Sequence, residues 1–342
     1  HHRLAARRAG AASRVEAFNP TRATHGFDSA SSFVAIVADD MPFLVDSLGI
    51  AFAARGISIR LLVHPVLQVS RDAGGRLRGL ALAGPAPAAQ ADAAALVPAD
   101  DPADAVAAPR ARNRARPGAR RESWQLYEID RQFDPRAIAA LREALLSTLA
   151  DVRAAVEDWQ PMRRRMAALA AGLRAQPPAR TPRAVTTEAC HLLDWMVDGH
   201  FVFLGYRQYR LRRSRGADRL EPRPRTGLGL LRDAPGARES STTTLRGRMR
   251  AVARSSDPLV ISKANTPATV HRATYLDYVA VKDFDADGTP CAEHRFVGLW
   301  TSTAYFASPH DIPLLRRKVE AVIAHFGLEP ASHDGKAVMA VL

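Results

Sequence analysis

The stretch from Val34 to Asp72 constrains the fold more than any other part of the sequence. Phe33–Ala38 is a short apolar run of the kind found in buried strands, and from Leu44 the apolar residues recur at helical spacing. Gly56 ends that helix, and the long run Ile57–Val69 is rich in β-forming residues. We therefore predict a strand, a turn, a helix and a second strand. The candidate site residues at the turn and helix start are Asp39, Asp40, Met41, Pro42, Phe43 and Asp46.

The segment Gly84–Arg121 differs in composition from the sequence on either side of it. It is rich in alanine, proline and aspartate, then in arginine, and it contains no aromatic residue. Such a composition cannot bury enough apolar surface to offset the entropy lost on ordering. We expect a disordered insertion within a domain.

Without that insertion, the first half of the chain has the element order β-α-β-β-α-β. The alternating run Ser123–Ile129 predicts a strand, and Asp134 followed by Pro135 predicts the start of a helix. We expect Asp151–Asp158 to form the last strand. This is the order of the split βαβ, ferredoxin-like arrangement, so the predicted class is α+β.

Composition and periodicity also predict the domain boundaries. The helical spacing of apolar residues from Trp159 and the proline-rich linker Gln176–Arg183 indicate a connector. Three later strands, with a hairpin turn at Asp285–Gly288, favour a second antiparallel α+β domain. The predicted segments are an extension over 1–32, a domain over 33–158 with the insertion 84–121, a connector over 159–184, a second domain over 185–327 and the truncated start of a further element over 328–342.

Charge and cysteine content limit the classes of partner. The net charge is +13, but the arginines that dominate the 48 basic residues are scattered along the chain. A nucleic-acid surface normally concentrates such residues, so we expect no nucleic-acid partner. The two cysteines lie far apart and suit a reducing compartment, and no apolar run is long enough for a membrane span. These features predict a cytoplasmic protein with no membrane partner.

The sequence offers no complete catalytic, cofactor or metal motif. Gly227 and Gly229 are followed by Arg232 where a dinucleotide fingerprint requires a third glycine. No histidine pair has zinc-binding spacing, so we expect no metal site. A polar group in the second half could form a structural hydrogen-bond network or recognise an anion or effector. Its members are His271, Arg272, Tyr275 and Asp277.

The turn at the start of the first helix is a candidate site for binding an anion. Backbone N–H groups at a helix N-terminus can hold a carboxylate or a phosphate. The turn and the element order resemble the ACT domain, a small amino-acid-sensing module, and Asp40 and Pro42 match its pattern. Phe43 stands where that family usually has glycine, and its side chain would occupy the space of a ligand. Amino-acid binding and a structural or interface role both remain open.

A wider resemblance covers the chain from about Phe33 to its end. Six blocks occur in the order and spacing of the large bacterial NAD-specific glutamate dehydrogenases: DDMPFLVDSL, LLDWMVDGHFVFLGYRQY, VHRATYLDYVAV, EHRFVGLWTSTAY, IPLLRRKV and SHDGK. That family oxidises L-glutamate to 2-oxoglutarate and ammonium with NAD, in a long chain that forms a homo-oligomer. The resemblance implies ACT-like and PAS-like modules here and a catalytic domain further along the chain.

The resemblance thus implies an N-terminal regulatory and assembly region that lacks catalytic residues. NAD would bind the full-length parent and not this chain. The implied partners are the remainder of the polypeptide, other subunits of a homo-oligomer and an amino-acid effector. The alternative is a freestanding amino-acid-sensing or scaffold protein with an ACT-like domain.

Overall fold

The computed structural model describes residues 2–84, 119–233, 242–329 and 332–334. They divide into two compact units. The first unit holds the described residues up to Val156, together with the loop Pro267–Thr274. The second holds the ranges Glu157–Thr266 and Tyr275–Leu342, as far as they are described.

The first unit contains a six-stranded antiparallel sheet with four helices or helix segments. Its six strands are β1 Arg14–Phe18, β2 Ser32–Asp39, β3 Ile59–Val63, β4 Val66–Arg71, β5 Leu77–Leu82 and β6 Arg120–Ile129. Its helices are α1 His2–Ala5, α2 Arg22–His25, α3 Leu44–Ala53 and the first part of α4 Pro135–Ala175. The sheet order is β1-β2-β6-β4-β5, β3 also pairs with β6, and all these pairings are antiparallel.

The turn lies at the end of a fully buried strand. β2 buries Val34 through Ala38, and it pairs along its whole length with β6. The α3 helix packs on the same sheet, where the rings of Phe52 and Tyr127 lie 5.0 Å apart between centroids. Buried contacts on both sides therefore fix where β2 ends and α3 begins.

The predicted last strand of the first domain is wrong. Asp151–Asp158 lies inside α4, a single helix of 41 residues. Its buried side chains recur every three or four positions, through Leu149, Val152, Ala155 and Met162, so the helical period continues across the predicted strand. The βαββαβ order fails at this element, and the connector does not begin at Trp159.

The predicted N-terminal extension also needs correction. β1 lies within 1–32 and pairs antiparallel with β2, so it fills the edge of the sheet beside β2. The predicted run Ile57–Val69 is two strands, because the chain leaves β3 at His64 and Pro65 before β4 begins. The predicted insertion overlaps β6 at Arg120 and Arg121; its residues 85–118 lie outside the described residues.

The second unit is built on a seven-stranded antiparallel sheet. Its strands are β7 Phe201–Arg212, β8 Asp218–Pro222, β9 Leu228–Gly229, β10 Thr243–Leu245, β11 Leu259–Pro267, β12 Tyr275–Phe284 and β13 Pro290–Trp300. The order is β10-β8-β7-β13-β12-β11, with β9 beside β7. The predicted hairpin at Asp285–Gly288 is confirmed, since it joins β12 and β13.

Helices cover part of this second sheet. They are the remainder of α4, then α5 Arg183–Trp195, α6 Gly247–Arg254, α7 Ser302–Phe306 and α8 Leu315–His325, and an irregular turn, Met196–His200, links α5 to β7. Met162 and Met166 of α4 enter one buried cluster with Leu193, Phe201 and Phe296. The predicted core role of the α4 apolar stripe is therefore confirmed.

Candidate functional site

Phe43 forms the turn that leads into α3. Its backbone is left-handed, with φ of 68°, a region that favours glycine. Its ring is buried, and its carbonyl accepts the Ser47 N–H at 3.0 Å and the Ser47 hydroxyl at 2.5 Å. The residue thus has the backbone of a glycine position and a large side chain. Its ring occupies space that glycine would leave open.

The loop Pro267–Thr274 covers the same turn within the first unit. The His271 N–H donates to Ser47 Oγ at 3.1 Å, and the rings of Phe43 and His271 lie 4.8 Å apart between centroids. Val270 is fully buried, and the Thr269 hydroxyl donates to Asp151 at 2.8 Å. These contacts hold the loop against the start of α3 from several directions.

Arginine side chains pair with the two aspartates of the turn. Asp39 lies 2.8 Å from Arg8 and 2.8 Å from Arg153. Asp40 lies 3.0 Å from Arg121. Neither carboxylate is therefore an open acceptor, and both tie the end of β2 to neighbouring elements.

A buried carboxylate extends this ion-pair network below the turn. Glu122 is buried completely and binds Arg8 at 2.9 Å and Arg71 through both of its oxygens at 2.8 Å. Burial raises the pKa of Glu122, but hydrogen bonds from Arg71, Trp124 and Arg8 outweigh burial and hold this pKa below its usual value. Because Arg8 is itself 1% exposed, the network fixes the N-terminal segment against the sheet.

The remaining predicted turn residues do not favour an anionic ligand. Met41 and Pro42 are half-buried in the turn itself. Asp46 is exposed in the first turn of α3, where its negative charge suits the helix dipole. A ligand carboxylate at that position would meet the same charge and be repelled.

His271 adds no positive charge at neutral pH. Burial, and to a smaller extent the nearby charge of Arg272, lower its pKa to about 4. Its Nδ1 is buried and has no hydrogen-bond partner among the described residues. Like Phe43, it has a left-handed backbone, with φ of 77°. The imidazole thus packs as a neutral ring.

The four residues of the predicted polar group belong to two different units. His271 and Arg272 belong to the first unit, whereas Tyr275 and Asp277 lie on β12 of the second. Asp277 pairs with Lys263 Nζ at 2.7 Å and accepts the Trp300 N–H at 3.3 Å, and Tyr275 is largely exposed. The prediction of one network across all four residues stays a prediction.

Two important residues had no signal in the sequence. Ser47 joins the turn to the loop, although a single serine in a helix predicts nothing of the kind. Glu188 of α5 is buried, accepts the Leu314 N–H at 3.0 Å and pairs with Arg316. These bonds lower the pKa of Glu188 to about 2, and the hydrogen bond from Arg316 contributes most. Only long-range contacts reveal either role.

Two further properties concern the described residues as a whole. Within them, no group of three or more histidine, cysteine, aspartate or glutamate side chains has a geometry that could hold a metal ion. None of the helices in the same ranges is long and apolar enough to cross a membrane.

Comparison with known proteins connects this geometry to a family. The model for the glutamate dehydrogenase ACT1 domain matches residues 1–145, and that for glutamate dehydrogenase helical motif 1 matches residues 312–342. The first match includes β1, which the sequence analysis assigned to an extension, and the second includes α8.

Curated relatives match nearly the whole chain. The NAD-specific glutamate dehydrogenase of Halomonas elongata is 33% identical over 332 residues, 97% of this chain and 19% of that protein. The Pseudomonas aeruginosa protein of the same name is 32% identical over 330 residues, 96% of this chain and 18% of its own length. That of Mycobacterium tuberculosis is 25% identical over 343 residues. The chain spans about a fifth of their length, and it belongs to the family of large NAD-specific glutamate dehydrogenases.

Proposed function

We propose that this chain is the N-terminal regulatory and assembly region of an NAD-dependent glutamate dehydrogenase. The parent enzyme would convert L-glutamate, NAD and water to 2-oxoglutarate, ammonium and NADH in a domain outside these residues. The match of the glutamate dehydrogenase ACT1 model to residues 1–145 carries this proposal, because it covers most of the first unit and because ACT domains are sensing modules. The parent would bind NAD, and this chain would not.

The two units would correspond to two modules. The first, near 33–158 together with β1, would be the ACT-like module, with its effector position at Phe43. The second, near 185–327, would be PAS-like; its antiparallel sheet, with the helix α6 described between β8 and β11, supports that assignment. Both modules would contribute surfaces to a cytoplasmic homo-oligomer and to the rest of the same polypeptide.

Within the first module, the turn would act as a fixed structural joint and not as an amino-acid sensor. Phe43 and His271 fill the space beside the helix start, and the carboxylates of Asp39 and Asp40 are already paired. A ligand carboxylate would have to displace both rings and lose their burial. The hydrogen bond between Ser47 and the loop Pro267–Thr274 would then support subunit assembly and would not respond to a ligand.

The activity of the isolated chain and of the parent test this proposal. Purified residues 1–342 should form no NADH from glutamate and NAD, and should not bind NAD at micromolar concentration. In the parent enzyme, Ser47→Ala should change oligomer assembly, measured by sedimentation, while the oxidation rate per assembled enzyme is retained. Ser147→Ala, on the exposed face of α4, is the matched control.

Turnover by the isolated chain, after removal of host dehydrogenase, would contradict the regulatory assignment. A natural reading frame without a catalytic domain would favour the alternative, a freestanding sensing or scaffold protein.

A further inference from the structure

The second unit contains an open apolar cavity of about 670 Å³. That volume lies within the range of small-molecule sites, about 300–1,000 Å³. Its walls come from α5, β11, the end of β13, α7 and α8. Three aromatic side chains, Trp195, Trp300 and Tyr305, form part of the lining. Large planar side chains of this kind provide contact area for an apolar ligand at little entropic cost.

A partly buried ion pair fixes one wall of the cavity. Glu188 of α5 holds the Leu314 N–H and the Arg316 guanidinium, at the point where α8 begins. Leu314 has a left-handed backbone, with φ of 67°, an uncommon conformation for a leucine. Because Leu314 and Leu315 both line the cavity, this pair determines where the α8 wall lies relative to α5.

The charges around the cavity have one sign. Among its lining residues in the described part of the chain, the only ionisable ones with a formal charge are Arg317 and Lys318, both on α8 and both exposed. No lining residue carries a carboxylate. The apolar surface suits a hydrocarbon or aromatic body, and the two cations suit one anionic group at its end.

We propose that this cavity binds a small amphipathic anion, an aliphatic or aromatic carboxylate with a body the size of a medium-length acyl chain. The apolar body would lie against Trp195, Trp300 and Ile261. The carboxylate would lie at the end of the cavity near Lys318 and Arg317. This inference concerns the second unit only and does not depend on the role proposed for the Phe43 turn.

Dodecanoate, below its micellar concentration, is the probe for this site in the full 342-residue chain. Because Trp195 and Trp300 line the cavity, binding should change tryptophan emission and saturate at one molecule per chain. Dodecanol, which has the same chain without the charge, should bind about fivefold more weakly, as expected for an exposed charge pair. Lys318→Glu should remove that preference, and Arg219→Glu, at an exposed position of β8, should leave it unchanged.

Two substitutions on α8 distinguish an effect on the cavity from a general effect on the helix. Ala321 lines the cavity and Ala324 does not. Ala321→Trp should occupy part of the space and weaken dodecanoate binding, whereas Ala324→Trp should retain it. Circular dichroism and the thermal midpoint would establish that each variant is folded.

Several outcomes would overturn the proposal. These are the absence of saturable dodecanoate binding by the folded wild-type chain, equal affinity for dodecanol, or equal loss of binding in both tryptophan variants. A change of oligomeric state in Ala321→Trp without any dodecanoate binding by the wild type would identify the cavity as a contact between copies and would likewise overturn it.

Discussion

The Phe43 turn and the cavity of the second unit have opposite properties. The turn carries the motif for which amino-acid binding and a structural role were both open, and two rings, a serine hydroxyl and several ion pairs occupy its surroundings. The sequence analysis predicted no ligand for the residues that line the cavity, yet the cavity has an open volume and two exposed cations. Under the role proposed for the turn, a resemblance in backbone does not carry the binding property when phenylalanine stands where the resembling family usually has glycine.

Replacement of Phe43 should have the largest effect on stability. Phe43→Ala removes a buried ring and should lower the free energy of unfolding by about 3–5 kcal/mol. Phe43→Gly loses the same ring but suits the left-handed backbone, so it should be about 1 kcal/mol more stable than Phe43→Ala. Urea denaturation of the two variants measures the difference. If Phe43→Gly is no more stable than Phe43→Ala, the left-handed backbone is not a source of strain.

Replacement of Glu188, which binds the Leu314 N–H and Arg316, should have the next largest effect on stability. Its pKa is lowered from 4.5 to about 2, so its stabilisation is complete above pH 4.5 and is lost as the pH falls towards 2. This difference corresponds to about 3 kcal/mol, which Glu188→Gln should remove at neutral pH. Glu221→Gln breaks an exposed pair with Arg212 and should cost less than about 1 kcal/mol. If both variants lose the same free energy of unfolding at pH 7, the pair of Glu188 and Arg316 does not fix the α8 wall of the cavity.

Removal of the Ser47 hydroxyl should have an intermediate effect on the turn. Ser47→Ala deletes the donor to the Phe43 carbonyl and the acceptor of the His271 N–H. We expect a loss of about 1–2 kcal/mol and faster amide hydrogen exchange in the loop Pro267–Thr274. Ser147→Ala should change neither quantity. Unchanged exchange in the loop of Ser47→Ala would show that Ser47 does not hold it.

Acidification should weaken the turn through His271 by the smallest amount. Its pKa is about 4 in the folded chain and 6.5 in the unfolded chain, so the unfolded chain binds the proton first as the pH falls. Stability should therefore decrease between pH 6.5 and pH 4, by about 1 kcal/mol after allowance for partial exposure. His271→Asn, which tolerates a left-handed backbone, should lack this part of the decrease. If stability decreases equally with pH in His271→Asn and in the wild type, the imidazole is not the source of that decrease.

Local patterns predicted the elements whose signals lie within short stretches. Asp134 and Pro135 do begin α4, and the hairpin at Asp285–Gly288 joins the strands expected on either side of it. The error at Asp151–Asp158 arose because the ferredoxin-like order required a strand there, although Val152 and Ala155 continue the helical period. β1 was missed because five residues with weak alternation resemble an irregular extension.

The sequence could not predict contacts between distant residues at the site. His271 and Ser47 are 224 positions apart, and neither belongs to a motif that would pair them. The cavity combines residues from five elements, so no single stretch carries its pattern. The Phe43 substitution was visible in the sequence, but the loop that packs against it was not.

Calorimetric titration of amino acids into the Ala321→Trp chain tests the central claim most directly. That variant obstructs the cavity of the second unit, and adding Asp40→Asn tests whether any remaining saturable heat comes from the Phe43 turn. We predict no saturable heat with millimolar L-glutamate or other amino acids, and weak binding only after Phe43→Gly is added, because glycine restores access to the helix N-terminus. Saturable binding by the Ala321→Trp chain with Phe43 in place, lost on Asp40→Asn, would contradict the closed turn and identify it as a working sensor.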